Sequence, residues 1–181
     1  MEYYTDRLLL RPLTILDIEL LQDYLQRNHA FFEEWDPVHE DGYYSIESLT
    51  KLIQTGIEEN NTHKGLRLYL FKKGTPRIIG YIGLSNIVYG AFLSSFLGYK
   101  LDEGEINQGY MTEGLKKVVE VGFCEYGLHR IEANVMPKNV RSIRVLEKLG
   151  FTKEGESAKY LKIHGRWEDH YHYVILNKEL E

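Results

Sequence analysis

The sequence predicts a mixed α/β domain with a largely antiparallel sheet. Residues 66–71 alternate leucine with other side chains, which is the two-residue period of a strand. Residues 115–123 instead repeat apolar side chains three and four positions apart, as on one face of a helix. The predicted order is a strand, helices, several strands, a helix, a strand, a helix and two final strands. With 181 residues and 43% hydrophobic content, we expect one domain over residues 1–181.

Capping and breaking residues limit the first elements. Pro12 has no amide proton to donate to a sheet, so it ends the first strand. Thr14 followed by Asp17 is typical of a helix start, and Ser45 can cap a later helix. The predicted elements are a strand at Arg7–Arg11, a helix with Leu16 to Leu25 on one face, a short helix carrying Phe31, Phe32 and Trp35 that ends at Asp36-Pro37, and a helix from Ser45 through Ile57.

The central segment Ile78–Tyr99 has 22 residues and no charge, which is long enough for a membrane-spanning helix. It contains four glycines and three serines, however, and Asn86–Gly90 is typical of a turn. We therefore predict two buried strands, Ile78–Leu84 and Phe92–Leu101, and no membrane span.

A helix is predicted after Gly109, ending near Gly127. Together with a strand at Arg130–Val135 it completes a strand–helix–strand unit, which we expect to be a right-handed parallel crossover. The remaining predicted elements are a helix at Val140–Leu149, closed by Gly150, and strands at Thr152–Ile163 and Asp169–Leu176 on either side of a turn at His164-Gly165.

Charge and cysteine content disfavour several classes of function. The 22 basic and 27 acidic residues give a net charge of −5, whereas a non-specific nucleic-acid binder is expected to be basic. Cys124 is the only cysteine, so we expect neither an internal disulfide nor a cysteine-based zinc site. His170 and His172 alternate on one face of a predicted strand, but without a third ligand they are typical of plain strand surface. The histidines show no metal-ligand spacing, so no metal is predicted. The single cysteine and the absence of a signal peptide predict a reducing compartment, the cytoplasm.

The segment Asn107–Glu113 lies between a predicted strand and a long helix. Its first backbone amides have no partner within the helix, Gly109 allows a ligand to approach closely, and the helix dipole adds positive charge. These properties suit a pyrophosphate. An ordinary helix start accounts for the same residues, so this segment alone leaves both interpretations open.

A second strand-to-helix junction lies at Pro137–Ser142. Asn139 can cap the following helix through its side chain, which is a purely structural role. Ser142 would lie in the first turn of that helix, where its hydroxyl could donate a proton to a leaving group.

Several short motifs occur in a fixed order and cover nearly the whole chain: Arg7–Pro12, Leu97–Leu101, Gln108–Leu115, Gly127–Ala133, Asn139–Ser142, Glu147–Phe151 and Glu154-Gly155. With these motifs the chain resembles the GNAT acetyltransferase superfamily. The resemblance is greatest to its Rim branch, which acetylates N-terminal amines of ribosomal proteins.

The resemblance implies the GNAT fold, a mostly antiparallel sheet flanked by helices, with acetyl-CoA in a V-shaped gap between two splayed parallel strands. Main-chain groups of Tyr99 and Leu101 would pair with the pantetheine arm, near an expected bulge, and Asn139 would bind the pantetheine side. Amides near Tyr99 and Leu101 would also stabilise the oxyanion. The pyrophosphate would bind the main-chain amides of Asn107, Gln108, Gly109, Tyr110, Met111 and Thr112.

Three positions depart from the usual superfamily pattern. Ile106 stands where glutamine or arginine is usual, and Met111 stands where glycine or alanine is usual, although methionine is usual there in the Rim branch. Leu146 stands where many members have a tyrosine general acid. The Rim branch instead places a serine three residues after the asparagine, which implies Ser142 as the catalytic proton donor. No general base is assigned; the carboxylates considered are Glu33, Glu34, Glu105 and Asp169.

The early helices cover the acceptor side in the family. This implies contacts with the acceptor from Phe32, Trp35 and Tyr43, while Asp169 lies on the last hairpin near the same mouth. Phe32 and Trp35 are equally consistent with core positions.

The expected activity is direct transfer of an acetyl group from acetyl-CoA to a peptide N-terminal amine. Two alternatives remain open at this point. One is acetylation of a small amine such as a polyamine, an amino acid or an aminoglycoside, and the other is a catalytically idle acyl-CoA-binding module. No nucleic acid or membrane partner is expected, and relatives often pair as homodimers.

Overall fold

The chain folds into eight strands and five α-helices in the computed structural model, which describes residues 1–181. In chain order they are β1 (Tyr3–Tyr4), β2 (Leu8–Arg11), α1 (Ile18–Arg27), α2 (His29–Glu33), α3 (Ile46–Thr62), β3 (Leu66–Lys72), β4 (Ile78–Val88), β5 (Ser94–Leu101), α4 (Tyr110–Cys124), β6 (Arg130–Val135), α5 (Val140–Lys148), β7 (Thr152–Ile163) and β8 (Arg166–Leu176).

All eight strands belong to one sheet, in the order β1-β2-β3-β4-β5-β6-β8-β7. Neighbouring strands are antiparallel except β5 and β6, which are parallel. The predicted fold class is therefore confirmed. No helix in the structure combines the length and apolarity needed to cross a bilayer.

Several boundaries differ from the predictions, and β1 was not predicted. The predicted short helix carrying Trp35 is wrong in its extent, because α2 ends at Glu33 and Trp35 lies in the turn after it. β2 begins at Leu8, α1 begins at Ile18, α3 continues to Thr62 and β5 begins at Ser94.

β4 continues to Val88, through an irregular stretch in which Asn86 has a φ of 49°, so the turn lies later than expected. β8 begins at Arg166, directly after a two-residue turn. The first residues of β8 are mostly charged and exposed, so the sequence pattern did not indicate that the strand begins before Asp169.

Helices pack on both faces of the sheet, and β3 shows why. Leu66, Leu68 and Leu70 pack in the cluster beneath α4, whereas Tyr69 and Phe71 pack in the cluster beneath α1 to α3. The two-residue period of a strand therefore supplies two cores at once.

The parallel pair β5 and β6 is hydrogen-bonded over a short distance only. Its register runs from Ser94↔Arg130 to Phe96↔Glu132 and then stops. Beyond this point β5 remains paired with β4 as far as Leu101, and β6 remains paired with β8 as far as Val135. The two strands therefore diverge and leave a gap in the middle of the sheet.

The link between β2 and α1 contains a charged cluster that makes stability depend on pH. Two guanidinium nitrogens of Arg11 and the amide of Thr14 each donate to the Asp17 carboxylate at 2.8 Å. The guanidinium, together with Thr14, holds the pKa of Asp17 below its usual value. The stabilisation is therefore complete above the unfolded pKa, about 3.9, and is lost as pH falls through the lower folded value.

Asp17→Asn is expected to lower the free energy of unfolding by about 1.5–3 kcal/mol at pH 7, because a charged acceptor is lost. The difference from wild type should shrink at acid pH. Denaturant unfolding at pH 7 and at acid pH measures this difference in the free energy of unfolding. Glu19→Gln, which changes an exposed neighbouring carboxylate, is the control. Equal midpoints for Asp17→Asn and wild type at pH 7 would contradict this account.

Candidate active site

The gap between β5 and β6 is continuous with a cavity of about 740 Å³. Phe32 of α2 and Trp35 of the turn after it line the cavity on one face of the sheet. Met111 of α4 and Ser142 of α5 line it on the other face. The cavity therefore passes through the sheet and opens toward two different sets of helices.

The loop before α4 presents a row of free main-chain donors. None of the six backbone N–H groups from Asn107 to Thr112 donates a hydrogen bond within the protein, and no side chain caps the helix. The first amide with a partner is that of Glu113, which donates to the Gly109 carbonyl at 3.0 Å. The left-handed φ values of Asn107 (62°) and Gly109 (80°) turn the loop into the helix. Free amides and a helix dipole together suit a pyrophosphate.

An ion pair between Arg7 and Glu113 supports this loop. The Glu113 carboxylate accepts hydrogen bonds from Thr5 Oγ1 (2.6 Å), Arg7 N (2.8 Å) and Arg7 Nε (2.6 Å). Arg7 Nη1 also donates to the Gln108 carbonyl at 2.9 Å. Burial alone would raise the pKa of Glu113, but the hydrogen bonds from Thr5 and Arg7 outweigh it and lower that pKa.

The start of α5 brings two hydroxyl groups together inside the cavity. Asn139 caps the helix, because its side-chain oxygen accepts from Ser142 N at 3.2 Å. Ser142 Oγ lies 2.5 Å from the phenol oxygen of Tyr99 on β5. Burial raises the pKa of Tyr99 to about 12, while the hydrogen bond to Ser142 acts in the opposite direction. The phenol therefore stays protonated at neutral pH and can return a proton to the serine.

The main chain of β5 offers further free groups at the edge of the gap. Asp102 N donates to Ile79 O, and main-chain groups alternate in direction along a strand. Those of Tyr99 and Leu101 therefore point away from β4, toward the gap. The bulge expected near these two residues is absent, because the register with β4 is unbroken from Leu101 to Phe96.

Most of the predicted cofactor residues lie at the cavity. Gln108 and Tyr110 differ from the rest, since their side chains do not line it. Gln108 Nε2 contacts Glu105, and the Tyr110 ring lies beneath the Arg7 guanidinium. The predicted residues that do line the cavity are Tyr99, Leu101, Asn107, Gly109, Met111, Thr112, Asn139, Ser142, Phe32 and Trp35.

Two residues predicted for the acceptor side do not line the cavity. Tyr43 stacks on His39, with ring centres 3.7 Å apart, and packs in the core beneath α1 to α3. Asp169 accepts a hydrogen bond from Lys159 N at 2.8 Å, at an irregularity in the β7–β8 hairpin. Each side chain therefore contacts a residue of its own loop or hairpin, which could not be inferred from its position in the sequence.

The carboxylates considered as bases also lie elsewhere. Glu105 pairs with Lys72 at 2.6 Å, and Glu33 and Glu34 are exposed outside the lining. The cavity wall instead contains His170, which was expected to be plain strand surface. No group of three or more His, Cys, Asp and Glu side chains is placed to hold a metal ion.

A family model described as an acetyltransferase (GNAT) domain matches residues 7–152 of the chain. The chain belongs to the GNAT acetyltransferase family. It is therefore an acyltransferase, and the GNAT fold anticipated from its motifs is confirmed.

The chain is also similar to named proteins along nearly all of its length. It is 41% identical over 171 residues to a probable N-acetyltransferase, YjcK, of Bacillus subtilis, covering 94% of each chain. It is 34% identical to the ribosomal protein uS5-alanine N-acetyltransferase of Escherichia coli, covering 92% of this chain and 86% of that one.

A solved structure extends the similarity. The ribosomal-protein-S5-alanine acetyltransferase of Vibrio fischeri superposes with a TM-score of 0.94 at 28% identity, covering 100% of this chain and 99% of that one. These relatives confirm the resemblance to the Rim branch.

Proposed function

We propose that this acetyl-CoA-dependent N-acetyltransferase modifies the N-terminal amine of a protein or peptide, with alanine as the first residue. The observation that carries the proposal is a cavity that crosses the sheet, with six free amides on one face and an aromatic wall on the other. The alanine preference is taken from the two S5-alanine acetyltransferases to which the chain is similar.

The residues on the α4 and α5 face fit acetyl-CoA. The amides of residues 107–112 would hold the pyrophosphate, while the free edge of β5 at Tyr99 and Leu101 would pair with the pantetheine arm. The bound thioester supplies the acetyl group. Amides on the same edge of β5 would stabilise negative charge on the carbonyl oxygen, a contribution typically worth about 3 kcal/mol per donor.

Ser142 would donate its proton to the departing sulfur. Its hydroxyl lies in the cavity and is hydrogen-bonded to Tyr99, so the phenol can replace the proton that the serine gives up. An idle binding module would have no use for such a pair, which argues for an active enzyme.

The charges on the acceptor side disfavour a polyamine. Asp36 is the only carboxylate in the wall of the cavity, and it forms an ion pair with Lys100. A polyamine site needs free carboxylates to balance several positive charges. The aromatic wall of Phe32 and Trp35 instead suits the first side chains of a peptide.

We expect purified protein with acetyl-CoA to acetylate a peptide that begins with alanine, and to do so at its α-amine. Mass spectrometry with fragmentation locates the added group. Two controls are used. The first is the same peptide with its N-terminus blocked and one internal lysine added, and the second is spermidine. Acetylation of spermidine or of the lysine in preference to the α-amine would overturn the proposed acceptor.

A further inference from the structure

We infer that His170 is the general base that takes the proton from the incoming amine. The inference rests on the proposed transfer of acetyl to an amine that is charged in solution, and it does not depend on which amine is the acceptor. It fills the role for which no carboxylate is available.

His170 lies beside the part of the gap where β5 and β6 are no longer paired. On β8 it directly precedes Tyr171, which is paired with Val135, the last residue of β6. The residue is only 3% exposed, yet it belongs to the wall of the cavity. Its ring borders the cavity and also lies near the ring of Tyr160, with ring centres 5.8 Å apart.

A single hydrogen bond fixes the tautomer of the ring. Nδ1 of His170 lies 3.0 Å from the carbonyl oxygen of Glu168. Because a carbonyl oxygen only accepts, Nδ1 carries the hydrogen, and Nε2 of the neutral ring keeps its lone pair. Nε2 has no hydrogen-bond partner within the protein, so it is free to accept a proton.

The neighbouring histidine provides a contrast. His172 lies two residues along the same strand, but its ring is fully engaged. Its Nδ1 contacts Asn134 Oδ1 at 2.5 Å, and its Nε2 contacts Ser157 Oγ at 2.7 Å. Of the two rings on this face of β8, only that of His170 has a free acceptor.

No other side chain in the cavity wall is suited to this task. Arginine and lysine side chains carry protons at neutral pH, and the phenol of Tyr99 is also protonated. The Asp36 carboxylate is paired with Lys100. The remaining titratable residues of the wall are Arg141, Arg144 and Lys148.

The proton balance of the reaction requires such a base. A peptide N-terminal amine has a pKa of about 8, so at neutral pH it arrives mostly as an ammonium that cannot attack. His170 Nε2 takes one proton, and the nitrogen lone pair then forms the C–N bond. The C–S bond breaks, Ser142 protonates the sulfur, and the second nitrogen proton leaves to water. The Tyr99 phenol returns a proton to Ser142, and the proton held by His170 passes through solvent to the phenol, which restores all three side chains. The products are the amide, the free thiol of coenzyme A and one proton released to solvent.

The test compares His170→Asn with wild type on two acceptors. The asparagine amide can still donate to the Glu168 carbonyl but cannot act as a base. On an alanine peptide we expect kcat/KM to fall by roughly 10²-fold or more, the usual contribution of a general base. An aminooxy-terminated peptide is already neutral at pH 7, so the fall in kcat/KM that His170→Asn causes on this acceptor should be clearly smaller.

His129→Asn is the matched control, because this histidine lies outside the cavity and pairs with Glu181. Calorimetry with acetyl-CoA verifies that each variant is folded, and His170→Gln replaces His170→Asn if it is not. Equal losses on the two acceptors, or no loss on the alanine peptide, would overturn the role of His170. If wild type acetylates no peptide, only the proposed acceptor fails, and the comparison is repeated with spermidine against a neutral aminooxy acceptor.

Discussion

Ser142→Ala is expected to lower kcat by roughly ten- to a thousand-fold, with little change in the affinity for acetyl-CoA. The variant removes the only hydroxyl that lies both in the first turn of α5 and within hydrogen-bond distance of Tyr99. The thiolate would then leave without a proton donor in contact with it. The lower end of the range applies if the Tyr99 phenol reaches the sulfur through a water molecule.

The chain contains a closely matched control for this variant. Ser48 occupies the same position in α3 that Ser142 occupies in α5, and its amide also donates to a capping side chain at 3.2 Å. Ser48→Ala therefore reproduces the helical change outside the cavity. Unchanged turnover by Ser142→Ala, measured by release of the free thiol, would remove the serine from the mechanism.

Gly109→Pro is expected to weaken coenzyme A binding by at least about tenfold, which corresponds to one lost charge-assisted hydrogen bond. Proline removes one of the six free amides and fixes φ near −65°, whereas Gly109 has a φ of 80°. The neighbouring amides would then no longer converge on one phosphate group. Isothermal titration with coenzyme A measures the effect.

A second glycine separates this effect from general strain. Gly74 lies in the β3–β4 turn with a φ of 79°, away from the cavity wall. Gly74→Pro should cost a similar amount of stability and leave the affinity for coenzyme A unchanged. Wild-type affinity in Gly109→Pro would exclude the loop before α4 as the pyrophosphate site.

The parts of the site that consist of backbone could be predicted from the sequence. Gly109 and Asn139 each stand between a strand and a helix, so their local conformation follows from short-range signals. The free amides before α4 and the cap of α5 were both expected on these grounds, and the structure contains both. Such features need only the elements on either side of them.

The parts that depend on distant side chains could not be predicted in the same way. Tyr99 and Ser142 are 43 positions apart, and no local pattern indicates that their hydroxyls meet. Tyr43 and Asp169 are placed by contacts within their own segments. His170 carried a detectable signal, since it alternates with His172 on one strand face, but only the neighbouring strands show which ring is free.

The splayed sheet divides the enzyme into two halves with different tolerance to mutation. In the proposed function, donor recognition would depend mostly on peptide groups, which every amino acid supplies, so this half should withstand substitution as long as the backbone keeps its course. Acceptor recognition would depend on side chains of the cavity wall such as Phe32, Trp35 and His170. New substrate preferences can therefore evolve by exchanging a few residues on one face while the cosubstrate stays the same.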